Sequence, residues 1–238
     1  MKFFNKNALI TGATGGIGRE IAIQMSKLGV NLFLTSTSDK KLKSLKRTLF
    51  KNNKNINIFT FVCDMSFNKN IDKLYLSIKK QSTHIDFLIN SAGIFVPKKL
   101  DKESFLEITQ SFQINTIAPI YLSKLISKDM KKRKYGRIIN IGSSSSYSGF
   151  KNSSIYCATK HALLGFSRSL HDELKSSNIR VISVSPGTVD TNMAKKIKNQ
   201  NRKTYIDPID ISKIIVHILS YDDNMTIEEI RLSRIKIE

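Results

Sequence analysis

Tryptophan is absent from this chain, and cysteine, proline and acidic residues are all scarce. Two cysteines, Cys63 and Cys157, are too few for a disulfide framework and lack metal-ligand spacing, which leaves both as reduced, structural thiols. Four prolines and no shift in composition exclude a Pro-rich linker, so no domain boundary is placed. With 238 residues and a 40% hydrophobic fraction, one core spanning 1–238 is expected. Long apolar runs are missing too. A bilayer span needs roughly 20 nearly uninterrupted apolar residues, and every stretch here is cut sooner by Lys, Asn, Ser or Gly. The amino-terminal MKFFNKNALITG has no apolar segment of signal-peptide length and no small-residue cleavage site. The expectation is a soluble, cytoplasmic protein without a membrane partner.

The shortage of acid is the largest departure from ordinary composition. Nineteen Asp and Glu against 39 Lys and Arg give a formal net charge of +20 and a pI near 9.9, well beyond the roughly 2–8 charges usual for a small domain. Such a field attracts nucleic acid, anionic membranes or acidic partners. Lys, Asn and Ile are abundant throughout, however, as in KNNKNINI at 51–58, and no basic arm gathers the charge. Drift toward AT-rich codons is the preferred explanation, and nucleic acid is not an expected partner. The run KKRK (131–134) closes a predicted helix, where cations suit the dipole. HDEL (171–174) is internal and no retention signal. The histidines at 84, 161, 171 and 217 show neither metal spacing nor an evident carboxylate partner, so no metal is expected.

What is present alternates. Short β-like runs stand at 7–11, 30–35, 57–62, 87–90, 136–142 and 180–186, with helical periodicity at 19–29, 39–51, 68–81, 101–134, 154–176 and 208–220. In EEIRLSRIKI (228–237), Ile230, Leu232 and Ile235 or Ile237 suggest a last strand. This pattern predicts an α/β fold: a single-domain, doubly wound parallel sheet of Rossmann type with helices on both faces. Its ligand crevice would lie beyond the carboxyl ends of the strands.

Directly after the first run comes TGATGGIG (Thr11–Gly18), and then a helix. Strand, glycine-rich turn and helix start together point backbone N–H groups and a positive dipole end at one place, where a pyrophosphate fits. Thr14, Gly15 and Ile17 belong to the same turn, with Gly12, Gly16 and Gly18 admitting close approach. At the end of the second strand, where a carboxylate would hold ribose hydroxyls, the chain reads TSTSDKK. Ser36 or Thr37 occupies that place, with Lys40 and Lys41 near, so NADP is preferred and NAD is the second choice.

Further on, Tyr156 and Lys160 are four residues apart on a predicted helix and hence neighbours. A phenol exchanges protons at neutral pH only when its anion is favoured, and an ammonium beside it does that. Ser143, upstream at a strand end, can bond a reacting oxygen, with Ser144, Ser145 and Ser146 as alternatives.

These residues together resemble the classical short-chain dehydrogenase/reductase family over essentially the whole chain. TGxxxGIG is matched at 11–18, the NNAG motif by Asn90, Ser91, Ala92 and Gly93, and YxxxK by Tyr156 and Lys160. The resemblance implies a tetrad of Asn115, Ser143, Tyr156 and Lys160. In it Lys160 also holds the nicotinamide ribose, and Asn115 fixes a water for proton relay. It further implies cofactor contacts from Asp64, from Asn90, Ala92 and Gly93, and from the segment holding Pro186, Gly187, Thr188 and Thr191. A homo-oligomer built on the helix of Tyr156 is implied as well.

Within the family, GRIINIGS and the TSTS strand end are similar to 3-oxoacyl-acyl-carrier-protein reductases. That widens the expected substrates from small carbonyl compounds to acyl-carrier-bound ones. Two departures stand out: Gly15 replaces a basic residue of those enzymes, and EEIRLSRIKIE replaces their VDGG-like terminus. The basic segment AKKIKNQNRK (194–203) lies where the family has its substrate lid. A non-catalytic nucleotide sensor or nucleic-acid binder on the same fold is the rival reading.

Overall fold

The computed structural model describes residues 3–82, 84–197, 201–222 and 224–235. Seven strands form one parallel sheet: β1 (Asn7–Ile10), β2 (Asn31–Ser36), β3 (Ile58–Val62), β4 (Phe87–Asn90), β5 (Gly136–Ile141), β6 (Ile179–Pro186) and β7 (Glu229–Leu232). Their order is β3-β2-β1-β4-β5-β6-β7, and every pairing is parallel. The direction of winding reverses between β1 and β4, where a doubly wound sheet opens its crevice.

Alternation along the strands shows why both faces are covered. Ala8, Ile10, Leu32, Leu34, Phe87 and Ile89 enter one apolar cluster, which α1 (Gly16–Lys27), α2 (Asp39–Asn52) and α7 (Pro208–Leu219) complete through Ile21, Met25, Leu42, Leu49, Ile211 and Ile215. The residues between them, Leu9, Phe33 and Leu88, enter the other, which α3 (Asn68–Gln81) and α5 (Ala118–Arg133) complete through Ile71, Leu74, Leu122 and Ile126. A strand sends successive side chains to opposite faces. These strands are apolar on both because each face meets helices. Each large side chain fully withdrawn from water contributes about 1.5–3 kcal/mol.

The element boundaries differ from the periodicity by three residues or more in three places. Helix α1 begins at Gly16 rather than 19, so the last two motif glycines already belong to its first turn. The expected helix over 101–134 is divided into a 3₁₀ turn (Leu100–Lys102), α4 (Phe105–Phe112), a π-helical turn (Gln113–Ile117) and α5. Ser104 and Glu107 start α4 with a reciprocal capping box. Right-handed helical dihedrals run through Gln113 and Ala118, so the π turn is one extra residue wound into a continuing helix.

The last strand ends at Leu232. Ile230 and Leu232 pack on the first cluster, Ile235 is fully exposed, and Ile237 lies outside the described residues. Helix α6 (Ser154–Leu174) runs on into a 3₁₀ turn closed by left-handed Asn178.

Two histidines do have carboxylate neighbours, contrary to expectation. His84 Nε2 lies 3.5 Å from buried Asp86, and His171 Nε2 lies 3.6 Å from Glu228 while its Nδ1 accepts the Val181 N–H. The first pair is two residues apart, and folding from distant segments creates the second. In the KKRK run, Arg133 bonds Asp86 and the Ile85 carbonyl, and Lys134 is the left-handed cap of α5. Among the described residues no helix is long and apolar enough to cross a membrane.

Candidate active site

The turn between β1 and α1 is shaped by what glycine permits. Gly12 has φ +61°, and a Cβ there would come within 2.8 Å of Ala92 Cα. A Cβ on Gly18 would stand 2.6 Å from the Gly12 carbonyl, and one on Gly16 would overlap the Thr191 side chain. The first two contacts are to backbone, which cannot step aside. Helix α1 starts at this turn with no side-chain cap and no acidic residue in its first turn. Its amides and dipole end therefore remain available to an anion. Helix α2 differs, since Ser38 caps it and Asp39 opens it. A dinucleotide's pyrophosphate fits the chemistry of the first terminus.

Around the turn the sequence-selected residues separate into those that gather and those that do not. Thr14 Oγ1 and Ser36 Oγ are 2.6 Å apart, and Ser36 also accepts the Ser38 N–H, whereas Thr37 is exposed. Ser36 is thus the residue of that pair which faces the glycine turn. Ala92 donates its N–H to Thr11 Oγ1 at 3.1 Å, and Ile17 packs on the core. Asp64, at the end of β3, accepts the Ser66 N–H in a local turn. Asn90 points inward: its amide donates to Asn140 Oδ1 at 2.8 Å and to Ser123 Oγ, and its own Oδ1 is buried without a partner among the described residues. Gly187 donates to the Leu232 carbonyl, Thr188 accepts from Ile206, and Thr191 lies over Gly16, so the segment after Pro186 folds back toward the glycine turn. In the basic segment, 198–200 lie outside the described residues.

The second constellation converges on Gly93. A Cβ built there would lie 3.2 Å from Asn115 Oδ1 and 3.9 Å from Lys160 Nζ. Asn115 sits in the π turn, which aims its amide back at the loop after β4. It accepts the Ile94 N–H at 2.8 Å and donates to the Ile94 carbonyl at 2.9 Å and to Thr159 Oγ1 at 3.2 Å. Thr159 in turn donates to the Tyr156 carbonyl at 2.7 Å. Lys160, buried, donates to the Ile141 carbonyl at 2.8 Å, and its Nζ lies 5.7 Å from the Tyr156 ring centroid. The Ser143 hydroxyl stands close enough to the Tyr156 phenol to lower its pKa as a hydrogen-bond partner and accepts the Ser145 N–H, while Ser146 caps the Ser143 N–H.

The electrostatics of the chain by itself depart from the expected pairing. Burial pushes the Tyr156 phenol up to about 12, against the Ser143 hydrogen bond, which lowers it. Burial likewise draws Lys160 down to about 8. The expected depression of the phenol by Lys160 is absent here because the ammonium is turned to the Ile141 carbonyl and both groups are desolvated.

Several neighbours had no sequence signal. Thr159 lies inside YxxxK without a motif position, and Phe95 meets the Tyr156 ring edge-on.

A family model described as short chain dehydrogenase matches residues 6–202. The chain is 36% identical over 214 residues to the 3-oxoacyl-[acyl-carrier-protein] reductase FabG of Buchnera aphidicola subsp. Schizaphis graminum, covering 90% of this chain and 86% of that protein. It is 32% identical to the FabG of Haemophilus influenzae, covering 91% of each. Among solved structures, levodione reductase superposes with a TM-score of 0.89 at 23% identity, covering 97% of this chain and 96% of that one. ElxO with NADP bound gives 0.85 at 25%, covering 97% of each.

Proposed function

The chain belongs to the short-chain dehydrogenase family and is an NAD(P)-dependent oxidoreductase of carbonyl and secondary alcohol groups, and we infer from this how its site works. From that premise we propose that Tyr156 is its proton-exchanging group. The observation that carries this reading is the convergence of Ser143, Tyr156, Lys160 and Asn115 at one crevice edge. In it the Tyr156 hydroxyl gives its proton to a carbonyl oxygen during reduction and takes it back during oxidation. Ser143 bonds the same oxygen and stabilises charge as it develops. Asn115 fixes the floor of the site through Ile94 and Thr159, and it serves the proton relay. Lys160 holds the cofactor ribose and supplies the positive charge an ionised phenol needs.

The cofactor supplies or accepts the hydride. Its proposed holders are Gly12, Thr14, Gly15, Gly16, Ile17 and Gly18 at the pyrophosphate, with Ser36 rather than Thr37 at the adenosine ribose. Asp64, Asn90, Ala92 and Gly93 would serve the adenosine side, and Pro186, Gly187, Thr188 and Thr191 the nicotinamide. The uncapped start of α1 supports the first group. NADP is preferred over NAD, supported by the Thr14–Ser36 hydroxyl pair standing where a carboxylate would repel a ribose phosphate.

The substrate is a carbonyl compound, free or carried as a 3-oxoacyl thioester; the likeness to two reductases of 3-oxoacyl-acyl-carrier protein supports the latter. The chain acts as one domain over 1–238, in the cytoplasm, as a homo-oligomer built on α6. The rival sensor or nucleic-acid binder is not favoured by the family match.

A screen of ketones, sugars and acyl thioesters with NADPH and NADH, read by loss of nicotinamide absorbance, tests this reading. The expected result is turnover with at least one carbonyl and a kcat/KM about 10-fold or more higher with NADPH. No turnover with either cofactor contradicts it.

A further inference from the structure

We propose that Phe95 is a specificity-determining residue for the reaction. Its ring forms a fixed wall beside the Tyr156 phenol that admits carbonyl compounds with a slim apolar substituent and turns bulky ones away. This rests on the assignment of Tyr156 above.

The two rings meet edge to face, with centroids 4.8 Å apart and planes at 67°, an arrangement that aromatic pairs favour. Phe95 belongs to neither apolar cluster and is half-buried, so the core does not need it. Its backbone, by contrast, is held from several sides. Asn115 takes both the N–H and the carbonyl of Ile94, at 2.8 and 2.9 Å. The Phe95 carbonyl accepts from Lys196 Nζ at 2.9 Å. Lys98 then donates its N–H to the Asn152 carbonyl at 2.8 Å.

Those partners come from the π turn before α5, the segment after β6 and the loop ahead of α6. Three separate parts of the chain therefore fix the five-residue stretch Ile94–Lys98 at the carboxyl edge of the sheet. A carbonyl that reacts must bring its oxygen to the Tyr156 hydroxyl and Ser143, and this leaves one of its substituents beside the Phe95 ring. An apolar wall suits an apolar substituent. A wall tied through its backbone excludes excess bulk instead of yielding to it. The ring packs against a phenol whose pKa burial holds high.

The test compares wild type with Phe95→Ala and Phe95→Leu, using methyl ketones and 3-oxoacyl N-acetylcysteamine thioesters whose second substituent grows stepwise. In Phe95→Ala, the ratio of kcat/KM for the bulkiest to the slimmest substrate should rise about 10-fold or more, and in Phe95→Leu it should stay within about threefold. A second readout needs no substrate. Carbon-13 tyrosine spectra, with Tyr156 assigned through Tyr156→Phe, should show its titration move down from about 12 in Phe95→Ala. A substrate ratio unchanged within about twofold overturns the proposal. A wild type inactive with every carbonyl contradicts the functional reading instead, and an unmoved Tyr156 resonance in Phe95→Ala then overturns the wall as well.

Discussion

Ser143 is the residue whose placement decides between several otherwise equal candidates. Four consecutive serines follow Gly142; Ser143 is the one that acts on the Tyr156 phenol, lowering its pKa, while Ser146 is committed to the Ser143 N–H. Ser143→Ala is expected to lower kcat by about 100- to 1,000-fold, as loss of an oxyanion donor does, with Ser144→Ala within about threefold. Steady-state kinetics on both variants checks this.

The pH dependence follows from the same contacts. Reduction needs the protonated phenol, so its rate holds below the Tyr156 pKa and falls as pH rises through it. Oxidation needs the phenolate and gains rate over the same range. Because the Ser143 hydrogen bond lowers that pKa, Ser143→Ala should carry both limbs to higher pH, as paired pH–rate profiles would show. Tyr156 and Lys160 were legible as neighbours because helical spacing fixes their positions, and the serine run was legible as a strand end, but which of its serines faces Tyr156 was not. Phe95 and Thr159 were not, since their roles arise from pairings across the fold that no local spacing records.

At the scale of elements, the glycine turn and the π turn do the positioning. Gly12→Ala places a Cβ against the Ala92 backbone at a positive φ. It should weaken cofactor binding by about 10-fold or more and cost about 1–2 kcal/mol of stability. Gly149→Ala has open space around it and should be neutral or stabilise by up to about 1 kcal/mol. Nicotinamide fluorescence titration and urea unfolding separate the two effects.

The strands and most helices were readable because their apolar runs are continuous and their ends carry turn residues. The break at Gln113–Ile117 was not. All its neighbours keep helical dihedrals, so one inserted residue shifts the face by a fraction of a turn without altering composition. That shift is what brings Asn115 to Ile94.

For the whole molecule, the sheet carries polar groups where its sequence reads as core. Asn90 and Asn140 are bonded to each other inside it, and Arg137 is buried against Asp222 and the Asn178 carbonyl. Strands such as GRIINI hide these residues among isoleucines, and the register Asn90↔Asn140 explains why the Asn90 amide meets Asn140 Oδ1. The +20 charge should cause retention on nucleic acid that lacks sequence preference and falls away steeply with salt, measurable by binding at two ionic strengths.

The central claim is that the Tyr156 hydroxyl moves the proton while other groups hold the cofactor. The most direct measurement is turnover and cofactor affinity in Tyr156→Phe, side by side with wild type. Turnover should fall by about 1,000-fold or more, with the cofactor Kd unchanged within about threefold. A variant that still turns over at a rate near wild type would contradict the claim.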